Sequence, residues 1–533
     1  MKATYIEYHE TNSFSSTALS YLAGDSKIQP FISHFPTIAN FGHLIESRRV
    51  TTDRKVLRDV LTRQYSETLD SGLPSQLKVN ENIELLLRDT TYTITTGHQL
   101  NIFTGPLYFI YKIVTTINLS RELKQAYPDK DFVPVYWMAT EDHDFAEINH
   151  VKLFGKNINW ELNASGATGR LNPETIAEAL KAYQSTLGIS KNSERLTAII
   201  EEAYLHHDTL ASATRYLVNA LFSSYGLVIV DADEKDFKAQ FTSVIEDDIF
   251  NKVSSAAITK ATNKLKEAGF DPQVNSRDIN FFYMKDNLRE RLVEEKGVYY
   301  LLNSEIRFNA EELRNEIRDY PERFSPNVVM RPLYQEIILP NLAYIGGGSE
   351  LVYWLQLEQC FDAFKVDFPI LLLRNSAMIT DESFGSKLCR LHIPAKDIFK
   401  STEILQKEWV LRNSQNVLNL SDERKDFQSV FEKIKLRAYK IDPTLAPSTE
   451  AVKARLYHTL ENLEKKFLKG EKKNHEGALS QIEGLRTKYF PGNSLQERSE
   501  NFGLFFVKYG DDFIAELVKR FKPLDFKFTI IEP

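Results

Sequence analysis

The chain has 533 residues, with 66 Lys+Arg against 73 Asp+Glu, a formal net charge of −7 and 42% hydrophobic residues. That length suggests roughly three or four domain-sized units. The ordinary globular composition excludes a wholly disordered or fibrous chain, and the acidic balance argues against a general nucleic-acid binder, which needs a basic surface to displace counterions. The two cysteines, Cys360 and Cys389, are too far apart to describe a zinc framework or a disulfide scaffold. No apolar run approaches the roughly 18 residues of a membrane span, and the start MKATYIEYHE lacks the apolar core of a signal peptide. A cytoplasmic protein without a membrane partner is the expectation.

Residues 1–90 have helical character, with ENIELLLR (81–88) as one stripe. The β-branched run YTITT (92–96) predicts a strand. Apolar residues at helical spacing from Leu107 to Leu123 predict a helix, with Gly105-Pro106 at its start and Thr104 as its cap. FVPVYWMA (132–139) then reads as a buried strand, giving a βαβ unit with parallel strands. Residues 173–222 are mostly helical, and GLVIVDAD (226–233) is another apolar strand ending in acids. FFYMK and VYYLL mark short strands among charged helices in 265–320. LAYIGGGSELVYWLQLEQCF (342–361) gives a strand, three glycines and a helix capped by Ser349; FPILLLR (368–374) is a further buried strand. These alternations predict an α/β, doubly wound core that is discontinuous in sequence. In 422–489 charge dominates. Leu456, Leu460, Leu463 and Phe467 form a heptad seam, and GEKKNHEG (470–477) reads as the tip of a helical hairpin.

Three segments carry polar residues suited to chemistry. In TTGHQLNIFTGPLYFIYK (95–112), Gly97 and Gly105 allow close backbone approach, and a helix N-terminus favours anions. His98, Gln99, Thr104 and Lys112 could contact a ligand; a turn around a packed histidine is the competing reading. In VPVYWMATEDHDFAEIN (133–149), Glu141, Asp142, His143 and Asp144 follow directly on a strand, and crowding of acids with histidine shifts pKa values as a catalytic site requires. Consecutive residues point in different directions, so all four cannot converge. A metal site is the weaker reading, because no His pair has ligand spacing, and none is assigned. In the third segment (325–356), Gly346, Gly347 and Gly348 open a helix, and Asn327 and Arg331 stand among apolar neighbours. Neither the dinucleotide fingerprint nor a phosphate-binding P-loop is present. His206-His207-Asp208 reads as a solvated face, and neither cysteine is favoured as a nucleophile.

These segments, with FYMKDNLRERL (282–292) and QERSENFGLFFVKYGDDFIAEL (496–517), resemble the bacillithiol biosynthesis cysteine-adding enzymes, a family of cysteine ligases. The matches fall in order over about residues 92–517. The resemblance implies a Rossmann-like doubly wound core related to class I aminoacyl-tRNA synthetases and nucleotidyltransferases, with insertions and a C-terminal α-helical coiled coil. It divides the chain into 1–165 and 325–400 as parts of the core, 166–225 as a helical connecting insertion, 226–324 as a core strand with a second insertion, and 401–533 as the coiled-coil region. It implies amide formation between cysteine and glucosaminyl-malate. ATP or another adenine nucleotide is the obvious carboxyl activator, although no cofactor is fixed by the residues. Asp142, His143 and His98 are the expected catalytic residues. The remaining named residues line the pocket, with the helix starts at Gly105 and Gly348 holding phosphate or carboxylate, and Lys112 and Arg331 neutralising charge. Thr95-Thr96-Gly97-His98 resembles the [HT]-x-G-H signature of nucleotidyltransferases, but the following helix starts several residues later, and no K-M-S-K-S-like loop is found. A nucleotidyltransferase with another substrate, or an inert scaffold, are the alternatives. The heptad seam predicts a homodimer through the coiled coil.

Overall fold

The computed structural model describes residues 1–69 and 76–533. Strand β1 (Lys2–Glu7) joins a small sheet, and helices Ile38–Ser47, Arg54–Thr68 and Leu77–Leu85 lead to the core. Strand β2 (Thr91–His98) is buried along nearly its whole length. Its threonines are satisfied internally: the Thr93 and Thr95 hydroxyls both donate to the Asn341 side-chain oxygen, at 3.1 and 2.8 Å. The helix Tyr108–Ala126 is buried continuously from Phe109 to Ser120, as expected of a helix that is largely apolar around its circumference. Strand β3 (Asp131–Met138) contains Pro134, which lacks the N–H a central strand needs. The neighbour on that side pairs only from Val135 onward, so the proline sits where β3 is still an edge.

A hairpin of β4 (His150–Leu153) and β5 (Lys156–Asn159) precedes the helices of 177–222, and β6 (Val228–Asp231) follows them. Strands β7 (Phe281–Lys285), β8 (Leu288–Glu295), β9 (Val298–Leu301), β10 (Arg307–Phe308) and β11 (Phe324–Pro326) form a second, antiparallel sheet in the order β10-β9-β8-β7-β11. The charged stretch between the two predicted strands of this region is therefore a strand, not a helix. Strands β12 (Asn341–Gly346) and β13 (Ile370–Leu373) complete the core, and β14 (Ala377–Ile379) and β15 (Lys527–Glu532) join β1 in the small sheet.

The core sheet runs β13-β12-β2-β3-β6, with every pair parallel. Counting only these strands in order of appearance and reading from the β6 edge, this is 3-2-1-4-5, a doubly wound sheet whose order reverses between β2 and β12. Ligands bind outside the carboxyl ends of the strands at such a switch point. His98 ends β2 and Gly346 ends β12.

The chain forms two compact units. The first comprises 1–9, 13–378 and 495–531; the second comprises 10–12, 379–494 and 532–533. By contacts, 495–531 belongs to the first unit. In the second unit, helices Ser421–Ile441 and Ala446–Asn474 form an antiparallel pair. Arg424 pairs with Glu464 at 2.7 Å, Glu432 with Lys453 at 3.4 Å and Lys435 with Glu450 at 2.7 Å, so one partner number falls as the other rises. The hairpin reverses at 442–445, where Asp442 accepts from the Thr444 N–H and Pro443 follows. The expected tip at 470–477 is instead helix through Asn474, followed by a break at His475.

Candidate active site

Register places Gly97 opposite Trp137 and His98 opposite Met138, at the ends of β2 and β3. Gly97 sits in a crowded place: a Cβ there would lie 3.1 Å from Arg331 Nη1 and 3.3 Å from Tyr344 Oη, so the neighbours would have to give by a few tenths of an ångström. The His98 ring stacks on Phe109 with centroids 5.1 Å apart and meets Tyr108 edge-on at 5.5 Å. Burial, reinforced by the charges of Lys112 and Arg374, pulls its pKa well below 6.5, so the imidazole is neutral. Its Nε2 is buried without a hydrogen-bond partner. Gln99 donates from Nε2 to Asp142 Oδ2 and to Glu147 Oε2, both at 2.7 Å.

The turn after β3 is pinned from two sides. The Thr140 hydroxyl donates to Asp231 Oδ1 at 2.5 Å, and the Thr168 and Gly169 N–H groups donate to the Asp142 and Thr140 carbonyls at 2.6 and 2.8 Å. Burial pushes the Asp142 carboxyl up, but hydrogen bonds from His143 and Gln99 and the Arg289 charge outweigh it and hold the group well below the usual carboxylate range. Asp142 is a fixed anion and a weak proton acceptor. Arg289 Nη1 lies 2.6 Å from His143 Nδ1, and the His143 ring tilts against Phe282 at 5.4 Å. Glu141 turns inward to pair with Lys238, whose Nζ also donates to the Phe324 carbonyl at 2.8 Å. Burial pushes the Glu141 carboxyl up against the pull of the Lys238 ammonium.

A cavity of about 480 Å³ is lined by Gly97, His98, Gln99, Glu141, Asp142, His143, Asn327 and Arg331, together with Arg277, Arg289, Arg291, Glu350 and Tyr353. Arg331 donates to the Tyr353 hydroxyl at 3.2 Å and leaves Nη1 unpartnered. Asn327 builds its turn, accepting from the Val329 N–H at 3.0 Å and donating to Asn280 at 2.9 Å. Carboxylates can hold an ammonium group here while guanidinium groups hold a carboxylate, as an amide-forming site requires. A second cavity, of about 530 Å³, is lined by Lys112, Gly347 and Gly348, and shares His98, Gln99 and Glu350 with the first.

Several expected residues lie elsewhere. Thr104 does not cap the helix: it has φ 71° within the turn Ile102–Thr104 and faces Tyr136 and Tyr204. Gly105 is needed at φ 63°, where a Cβ would lie 2.6 Å from that of Asn101. It lines neither cavity; its carbonyl accepts from Asn501 Nδ2 at 2.7 Å and the Leu107 N–H is bound to the Glu500 carbonyl at 2.7 Å. Asp144 is exposed and lies outside both cavities. Gly346 lines neither cavity, its carbonyl accepting from the Arg374 N–H at 2.9 Å. Ser349 is not the cap of Gly348–Trp354; that position is Gly347, whose N–H donates to Glu350 Oε2 at 2.6 Å. Lys112 offers no free ammonium to the first cavity, since it is bound to Glu350 at 2.6 Å and to the Gly97 carbonyl at 2.7 Å. Burial pushes the Glu350 carboxyl up, but Lys112 and the Gly347 N–H outweigh it and hold the group low. Cys360 is buried, with its thiol pushed up by burial, and Cys389 is exposed.

The residues missing from the sequence reading are mainly cations: Lys238, Arg277, Arg289, Arg291, Arg374 and Arg498. Arg289 and Arg291 had a signal, because alternation in a strand puts i and i+2 on one face, but it required reading the charged segment as β8.

The family model described as the bacillithiol biosynthesis BshC N-terminal Rossmann-like domain matches residues 1–375, and that of the BshC C-terminal coiled-coil domain matches 377–533. Full-length relatives carry the name "Putative cysteine ligase BshC". The Flavobacterium johnsoniae protein is 42% identical, covering 100% of both chains. The Christiangramia forsetii protein is 41% identical over 100% of this chain and 99% of its own, and that of Bacillus cytotoxicus is 27% identical over 94% and 95%. With matching models over both parts of the chain and relatives of the same length, the chain belongs to the bacillithiol biosynthesis BshC family.

Proposed function

We propose that the protein joins the carboxyl group of cysteine to the amino group of glucosaminyl-malate, forming the amide of bacillithiol. The observation that carries the reading is the pairing, at the switch point of the sheet, of a fixed carboxylate with a neutral, unpartnered imidazole. Asp142 anchors the ammonium form of the amine, and His98, uncharged and lining the same cavity, takes the proton that must leave before nitrogen can attack, acting as a weak base because burial and the charges of Lys112 and Arg374 lower its pKa. Arg331, with a free Nη1 beside Gly97, orients a carboxylate and offsets charge that develops on the acyl oxygen. Joining a carboxylate to an amine in water is uphill, so this reading includes activation of the cysteine carboxyl by ATP or another adenine nucleotide.

No described helix is long and apolar enough to cross a membrane, and we place the reaction in the cytoplasm. We further propose a homodimer through the helical hairpin. None of the residues of Ser421–Ile441 is buried, and Val430, Ile434, Leu463 and Phe467 are exposed on it and its partner helix. Isothermal titration of the purified chain with cysteine and with glucosaminyl-malate tests the substrate assignment. Saturable binding of both is expected, with Asp142→Asn weakening glucosaminyl-malate by about 10- to 100-fold. Absence of glucosaminyl-malate binding to the wild-type chain would overturn the assignment.

A further inference from the structure

The second cavity shares His98 with the site above, and three cations line it, of which Arg498 alone forms no ion pair among the described residues. Lys112, Arg374 and Arg498 face it against a single carboxylate, Glu350, which Lys112 neutralises. Arg374 is 4% exposed. Its Nη2 donates to Glu497 Oε1 at 2.8 Å, and its Nη1 to the Asn375 carbonyl at 3.1 Å and the Ser376 hydroxyl at 3.0 Å. Its Nε is buried with no partner. A Cβ on Gly347 would stand 3.9 Å from that nitrogen, an ordinary van der Waals contact, so Gly347 lies beside Nε in the cavity wall. Arg498 donates from Nη2 to the Ser13 carbonyl at 2.9 Å, lies over the Phe14 ring at 5.7 Å, and forms no ion pair among the described residues. A buried guanidinium donor left unsatisfied is costly unless a ligand completes it.

We propose that this cavity is a subsite for a compact anionic group of a substrate, a carboxylate or a phosphate, held by Arg374 Nε and Arg498. On the functional reading above, on which this identification rests, the group is the malyl dicarboxylate. His98, Gln99 and Glu350 line both cavities. An anion seated against Arg374 and Arg498 therefore leaves the remainder of its molecule at the shared wall, where Gln99 leads to Asp142. The malyl end and the amine of one substrate are thus addressed by different walls of a joined cleft.

Titration calorimetry on the full-length chain tests this, with L-malate and inorganic pyrophosphate as probes. Arg498→Gln removes the unpaired cation. Ser349→Asp places a carboxylate in the cavity wall from an exposed position in the first helical turn, where an acid favours folding. L-malate binding to the wild type and its weakening by about tenfold or more in both variants, with unchanged circular dichroism, is expected. Loss of pyrophosphate affinity alone would assign the same subsite to a phosphate. Binding of neither anion by the wild type, or affinities unmoved in both variants, would overturn the subsite. Loss of anion binding in variants of a chain that supports no bacillithiol synthesis would retain the subsite and remove the functional reading. Bacillithiol synthesis by a wild-type chain whose anion affinities the variants do not alter would do the reverse.

Discussion

His98 and Asp142 stand in one cavity in opposite protonation states, each set by its immediate neighbours. His98 is surrounded by aromatic rings and two cations and stays neutral; Asp142 is ringed by donors and stays ionised. Asp142→Asn keeps the shape but removes the charge, so product formation should fall by about 10²–10⁴-fold with unchanged circular dichroism. Retention of wild-type activity would reassign the anchor. The depressed pKa of His98 also has a sign for stability. The unfolded chain takes up the proton first, so the contribution of His98 is fully present above about 6.5 and is lost as pH falls through the folded value. Chemical denaturation between pH 7 and 5 should therefore show a steeper loss in the wild type than in His98→Gln, by at most about 1.4 kcal/mol per pH unit; identical slopes would contradict a neutral buried His98. The run Glu-Asp-His-Asp announced a site from sequence alone because charge directly after a buried strand is unusual. Which member faces inward was not legible. Glu141 is claimed by Lys238 and Asp144 by solvent, and neither fact has a local signature.

At the level of elements, the loop 99–107 is held by a residue nearly 400 positions away. Asn501 donates to the Phe103 and Gly105 carbonyls at 2.8 and 2.7 Å, and its side-chain oxygen accepts from Tyr183 at 2.7 Å. Asn501→Ala should cost about 2 kcal/mol or more, because it strands buried carbonyls. A thermal midpoint equal to that of the wild type by scanning calorimetry would argue against this role. The sequence marked 104–106 as a helix start from local preference, and the helix begins just after, at Tyr108 with Leu107 as its cap. It could not show that the Leu107 N–H was already taken by the Glu500 carbonyl. The hairpin tip was misplaced for a related reason. A Gly- and Lys-rich stretch suggests a turn, but GEKKN has enough helix formers to continue the helix, while Asp442-Pro443 supplies a cap and a stop together.

For the molecule as a whole, the doubly wound core was legible because β3, β6, β12 and β13 are buried, mainly apolar runs and β2 is a buried β-branched one, each followed by polar residues. The pairing order across more than 200 intervening residues, which brings β12 beside β2, was not. The helical hairpin leaves Phe467 and Leu463 each 39% exposed. Leu460→Asp with Leu463→Asp should convert a dimer into monomers in sedimentation velocity, since burial of such a stripe stabilises association by about 25 cal/mol per Å²; a wild-type chain that sediments as a monomer would remove the dimer. The central claim is cysteine addition to glucosaminyl-malate at the His98–Asp142 cleft. Its most direct test is thiol-labelled metabolite profiling of a bacillithiol-producing strain lacking this protein, complemented with the wild type or with Asp142→Asn. Accumulated glucosaminyl-malate and no bacillithiol are expected in the deletion strain and in the Asp142→Asn strain, with synthesis restored by the wild type. Normal bacillithiol in the deletion strain would contradict it.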